Sequence, residues 1–408
     1  MKHRVAAFLL LLSLVFCAAC GGGGGGGVSA LAVSTPTPVA SPTPAPGNVQ
    51  PASVNPGPDG NYVNGLFTTV TVCVPGTTTC QNVDSVLVDT GSYGLRILGS
   101  ELSFSLPPQT AAGQTVAECA MFANAFTWGP VAMADVQIAG EAAHNIPIQV
   151  IGEPGFTGPP GGCTSSGLKE EDTLATLGAK GILGIGTFIQ DCGTACTLPG
   201  PTNPGFYYIC SGSSCSVTGE SLANQVQNPI VFFAADNNGV LISLPAIGAT
   251  GAPTVPGSLI FGIGTQSNNG LGAAKVYGVD ANGNFTTNFQ GNSYPNSFID
   301  SGSNGIFFLS SSATGIPSCP DNPGFYCPSA PQSLSATNVG ANGQSGSVAF
   351  VIANADSLFS TSNSAFNDLG GDSPGLFDWG LPFFFGRNLF VAIEGKSTPG
   401  GPGPYWAY

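Results

Sequence analysis

The chain of 408 residues holds only eight basic residues against 22 acidic ones, and two of the eight, Lys2 and Arg4, lie at its extreme N-terminus. So acidic a chain, without clustered Lys and Arg, repels phosphate backbones, which excludes nucleic-acid binding. Sixty glycines and 34 prolines would suggest disorder, but 42% hydrophobic and 7% charged residues argue against it, so most glycines read as turn residues between strands.

In chain order, Met1-Lys2-His3-Arg4 gives a positive start, Val5 to Phe16 an apolar run, and Ala18-Ala19-Cys20 a small-residue cleavage site. This is an export signal over residues 1–19, too short to span a bilayer. Small residues before a cysteine resemble a bacterial lipobox, with Cys20 as the lipidated residue and Cys17 where that motif usually carries Leu. The expectation is an exported lipoprotein of the bacterial cell envelope, outer-membrane anchored, with periplasmic or secreted location as the alternative. The lipid would be its sole membrane contact. Seven glycines and the stretch "STPTPVASPTPAPG" follow, and such sequence cannot bury a core, so residues 20–60 read as a tether.

Some 350 residues remain, more than one typical core, which favours two lobes, placed at 61–225 and 226–408. Short runs such as "FTTVTVCV", "VDSVLV", "IPIQVI", "SLIFGIG", "SVAFVIA" and "NLFVAIEG", separated by Gly, Pro and Asn, predict an all-β chain. Helix candidates are confined to the segments from Leu168 to Gly178 and from Glu220 to Gln227. Beyond the signal there are ten cysteines, an even number in an exported chain, which implies disulfides. Proximity suggests Cys73–Cys80, Cys192–Cys196, Cys210–Cys215 and Cys319–Cys327, leaving Cys119 with Cys163. No Cys-x-x-Cys occurs, so a zinc site is not expected.

One histidine, His144, remains after the signal, in "GEAAHNIP", read as a solvated turn. Ser-His and Cys-His nucleophiles need an imidazole base and metal sites usually more than one ligand of this kind, so neither is expected. "GIGTQSNNG" and "DNNG" match neither a dinucleotide loop nor a calcium loop and read as hairpins. Carboxylates remain. "SVLVDTGSYGLRIL" (Ser85 to Leu98) and "NSFIDSGSNGIFFL" (Asn296 to Leu309) share Asp, Gly, Ser, Gly and the final Leu position by position. If two lobes pack about a pseudo-twofold axis, Asp89 and Asp300 meet. Carboxyls that close share one proton and so hold a base and an acid together, without cofactor or metal. Gly91 and Gly302 let the backbone turn its amides on the pair, Ser92 and Ser303 donate to the outer oxygens, and Thr90 and Ser301 bond across the interface.

These units resemble the active-site strands of pepsin-like aspartic peptidases, and the likeness covers most of Tyr62 to Lys396. "GILGIG" and "PGSLIFGIG" resemble further landmarks of that family, as does "WGLPFFFGRNLFVAIEG", with Pro382 and Phe383 in place of the usual Gly-Asp. The tether, lipobox and "GLPFFFGR" also resemble a branch of bacterial exported proteins. The resemblance implies a bilobal all-β fold, two β-barrel-like lobes with a cleft between them, acting as a monomer on a polypeptide substrate. It places Phe122 and Arg96 where the family's flap tyrosine and its tryptophan partner stand, and suggests a rebuilt flap closed by Phe126 and Trp128. The expected function is an aspartic endopeptidase with Asp89 and Asp300 as its dyad. The competing readings are an inactive scaffold that captures a peptide ligand, glycan or foreign enzyme, and a structural envelope lipoprotein.

Overall fold

A computed structural model describes residues 47–408 apart from Thr157, Ser166, Pro199 and Ser213. The signal segment, Cys20 and the tether as far as residue 46 lie outside the described residues. The tether does not reach residue 60, because Val49–Asn55 is a strand, antiparallel to both Gly65–Cys73 and Val255–Phe261. Its Ala52 and Val54 are buried in alternation with half-exposed neighbours, a pattern that Pro51 and Pro56 disguise in the sequence. Pro51 is tolerated because it faces a strand on one side only, and its carbonyl takes the Thr68 hydroxyl at 2.8 Å on the other.

The chain is all-β, and the repeated sequence units become repeated structural units. Cys80–Asp89 is a strand whose Val83, Val86, Leu87 and Val88 are buried, which explains how an apolar run can deliver a carboxyl to its end. Tyr93–Leu98 follows, and Gly181–Ile185 runs parallel to the first strand (Ile182 opposite Leu87, Gly184 opposite Asp89) and antiparallel to the second. In the other half Asn292–Ile299 and Ile306–Leu309 take those places. Ser373–Trp379 is the threading strand, parallel to one (Phe298 opposite Asp378) and antiparallel to the other (Phe307 opposite Asp378).

This register revises the alignment of the last landmark. Gly380, following the Trp379 that faces Ile299, corresponds to Gly184, so Phe377-Asp378-Trp379-Gly380 matches Gly181-Ile182-Leu183-Gly184. The family's glycine is therefore present two residues before Pro382. A Cβ at Gly380 would lie 2.1 Å from the Gly305 carbonyl oxygen, so only glycine fits. Pro382 falls in the 3-10 turn Leu381–Phe383, where its missing amide costs little.

Gly239–Leu244 joins Val255–Phe261 to Arg387–Ala392, so a sheet runs from the N-terminal strand to the last part of the chain. Beneath the second motif the core is aromatic, with Phe289, Phe308, Phe350, Phe377 and Trp379 in edge or stacked contact. Of the two helix candidates, one holds the short helix Leu174–Leu177, capped by Thr173. The other is a turn, where the Gln225 side chain bonds the Gly193 and Glu220 carbonyls instead. His144 lies on the strand Glu141–Ile151 rather than in a turn, its ring exposed and 3.5 Å from Asp135.

Disulfides join Cys73–Cys80, Cys119–Cys163, Cys192–Cys196, Cys210–Cys215 and Cys319–Cys327. Five such bonds fit an oxidising environment, periplasmic or extracellular. Among the described residues no helix is long and apolar enough to cross a membrane.

Candidate active site

The two motif strands end side by side. The Gly91 amide donates to Asp89 Oδ1 at 2.8 Å and to Asp300 Oδ1 at 3.1 Å, so one N–H serves both carboxyls. On the other side the Gly302 amide donates to Asp300 Oδ1 at 2.8 Å. Any side chain at these glycines would collide with the dyad: a Cβ at Gly91 would sit 2.6 Å from Asp300 Cγ, and one at Gly302 2.7 Å from Asp89 Oδ1. Behind the carboxyls the units interlock. Ser301 N–H donates to Thr90 Oγ1 (2.9 Å) and Thr90 N–H to Ser301 Oγ (3.1 Å), while the hydroxyls donate to the Ile299 and Val88 carbonyls (3.3 and 2.7 Å).

The outer oxygens differ. Ser92 donates to Asp89 Oδ2 alone at 2.5 Å, whereas Ser303 Oγ lies 2.9 Å from Asp300 Oδ2 and 2.5 Å from Asp378 Oδ2. A hydroxyl has one proton, so one of these contacts needs a protonated carboxyl as donor. Burial pushes Asp378 up to about 8, against some lowering by Ser303, which makes it that donor through the acidic and neutral range. The chain then runs from Asp378 through Ser303 to Asp300. Asp300 is itself held well above the ordinary carboxylate range, first by burial and then by the charge of Asp89.

The dyad forms the floor of a cleft of about 850 Å³. Its first wall carries Leu87, Met121, Phe122, Leu177 and Ile182, and its second Phe298, Phe307, Asp372 and Asp378. The hairpin of Gln114–Met121 and Ala125–Ile138 brings its turn, Met121 to Asn124, to the cleft. Phe122 is thus a lining residue. Its ring lies 5.8 Å from the Arg96 guanidinium, a cation–π contact. Arg96 is fully buried and paired with Glu118 (2.6 Å) and Asp191 (3.0 Å).

Phe126 and Trp128 do not close the cleft. Both are 2% exposed and pack with Tyr208 and the Cys119–Cys163 disulfide, and the Trp128 indole donates to the Phe156 carbonyl at 2.9 Å. Strand alternation puts them on one face, and that face packs on Tyr208 and the disulfide. Tyr62 and Glu171 line the cleft instead, and sequence reading missed both. Tyr62 packs edge-on against Phe67 at 5.3 Å, and burial with the charges of Glu171, Asp89 and Asp300 keeps its phenol neutral. The compact Cys319, Cys327 and Asp356 group offers no thiolate to a metal, since its cysteines are joined to each other.

Repeated motif units, a carboxyl pair with its interlocked supports and an all-β chain of two lobes together define the pepsin-like fold. The chain belongs to the family described as a protein of unknown function, DUF3443, whose model matches residues 44–408. No curated protein matches it in sequence. Among solved structures it is similar to the aspartic proteinase from Irpex lacteus, at 16% identity and a TM-score of 0.48, over 88% of this chain and 96% of that one.

Proposed function

We propose that the protein is an exported aspartic endopeptidase that hydrolyses extended polypeptides through a water activated between Asp89 and Asp300. The carrying observation is the Gly91 amide shared between the two carboxyls, with Asp300 held above the ordinary carboxylate range. As water attacks the amide carbon, Asp89 takes its proton and Asp300 gives its own to the carbonyl oxygen, leaving a neutral gem-diol. When the C–N bond breaks, Asp89 returns its proton to the leaving nitrogen and Asp300 recovers one from a diol hydroxyl. The pair ends as it began, with no covalent intermediate. Asp89→Asn and Asp300→Asn should each lower peptide cleavage by about a thousandfold or more in a folded protein. Residual cleavage at wild-type rate in either would reject the assignment.

The N-terminal segment supports an envelope location in the same reading. Cys20 carries the lipid and the Gly- and Pro-rich stretch holds a monomeric catalytic domain away from the bilayer. Labelled palmitate should enter the wild type and not Cys20→Ser; equal labelling of both would rule out this anchor.

A further inference from the structure

The pseudo-twofold relation between the motif units exposes one substitution. Leu87 and Ile182 face each other across adjacent parallel strands of the first unit, and Phe298 and Asp378 hold the matching positions of the second. All four line the cleft. Where one wall has an aliphatic side chain, the other has a carboxyl. Asp378 is 7% exposed, and although one oxygen contacts Ser303, Oδ1 is buried without a hydrogen-bond partner. Such a group costs stability unless something completes it.

Its surroundings indicate what does. In register, Asp378 lies opposite Phe298 on one neighbouring strand and Phe307 on the other, and all three residues line the cleft. The cleft lining includes Asp59, Asp89, Glu171, Asp300, Asp372 and Asp378, with no Lys, Arg or His among the described residues that line it. A carboxyl that shares a cleft wall with aromatic residues and faces no cation there suits an ammonium or guanidinium on an apolar stem. The head bonds the unpartnered oxygen and the rings cover the stem.

We propose that Asp378, with Phe298 and Phe307, forms a recognition pocket for a Lys or Arg side chain of the substrate, opposite an apolar residue seated on Leu87, Phe122 and Ile182. The proposal rests on the peptidase reading for turnover but concerns recognition, which can be measured separately. Burial pushes the Asp378 carboxyl up, and a cation bound beside it would act in the opposite direction.

The test uses two peptides with one apolar residue at the scissile bond, differing only in Lys or norleucine across that bond. Wild type should cleave the Lys peptide with a kcat/KM about tenfold or more above the other. Asp378→Ile, which restores the matching residue of the other wall, should abolish or reverse the preference between the two peptides, read as binding in the Asp89→Asn background because Asp378 also bonds the Ser303 that supports Asp300. The near-isosteric Asp378→Asn should lose the preference too, which guards against misfolding of the first variant. Binding of both peptides to the Asp89→Asn protein gives recognition without turnover. Equal cleavage or binding of the two peptides, or a Lys preference that survives in both Asp378 variants, overturns the proposal. If wild type cuts neither peptide but Asp89→Asn binds the Lys peptide preferentially, the pocket stands and the peptidase reading falls.

Discussion

At the scale of single residues, the electrostatics of the site come from carboxyls that burial keeps protonated. Asp378 rises from 3.8 to about 8 on folding, chiefly by desolvation, and Asp300 moves the same way; Asp368, which does not line the cleft, rises to about 6 for the same reason. A folded state that binds protons more tightly than the unfolded chain is most stable below the unfolded value and loses that stability as pH rises to the folded one. Unfolding free energy from urea titration should therefore fall by a few kcal/mol between pH 4 and pH 8, and the fall should be shallower in Asp378→Asn. A steeper or unchanged slope in that variant would show that Asp378 is not held protonated. Asp89 and Asp300 were legible in the sequence because their units repeat, residue for residue. Asp378 was not, because the third landmark was aligned from Trp379 and the register that equates Asp378 with Ile182 depends on strand pairing between distant segments.

At the scale of elements, the site depends on close backbone approach more than on side-chain chemistry. Gly380 stacks against the loop behind Asp300, with no room for a methyl group between it and the Gly305 and Ser303 carbonyls. Gly380→Ala should displace that loop, lowering the midpoint of thermal unfolding by several degrees and cutting turnover, while Gly270→Ala, where a Cβ meets nothing within 4 Å, should be silent. Equal behaviour of the two variants would contradict the packing argument. The strands were read from alternation and from Gly- and Pro-bounded runs, which depend on local sequence alone. Which face of the hairpin meets the cleft is a tertiary fact. Phe126 and Trp128 look like cleft residues in sequence, yet Tyr208 and a disulfide 44 residues in span hold them on the opposite face.

At the scale of the whole molecule, the strand Val49–Asn55 binds the start of the described chain to strands from both halves, and five disulfides fasten the loops. Four of these disulfides close loops of 4 to 8 residues, while Cys119–Cys163 spans 44. In the loop-entropy account the long bond stabilises by about 4 kcal/mol and each short one by about 2. Paired Cys→Ala replacement at 119 and 163 should accordingly cost more in urea than replacement at 73 and 80, and the reverse order would point to strain or residual unfolded structure instead. Two lobes were legible from length and duplication. The first strand was not, because prolines that end a tether and prolines at a sheet edge look alike until a partner strand is known.

The measurement that bears most directly on the function is cleavage of a mixed peptide library by oxidised, tether-free protein from about pH 3 to 7, beside Asp89→Asn and Asp300→Asn. The paired carboxyls predict cuts by the wild type that vanish in both variants. A folded wild type that cuts nothing across that range, or variants that cut as it does, would contradict the dyad as a catalytic centre.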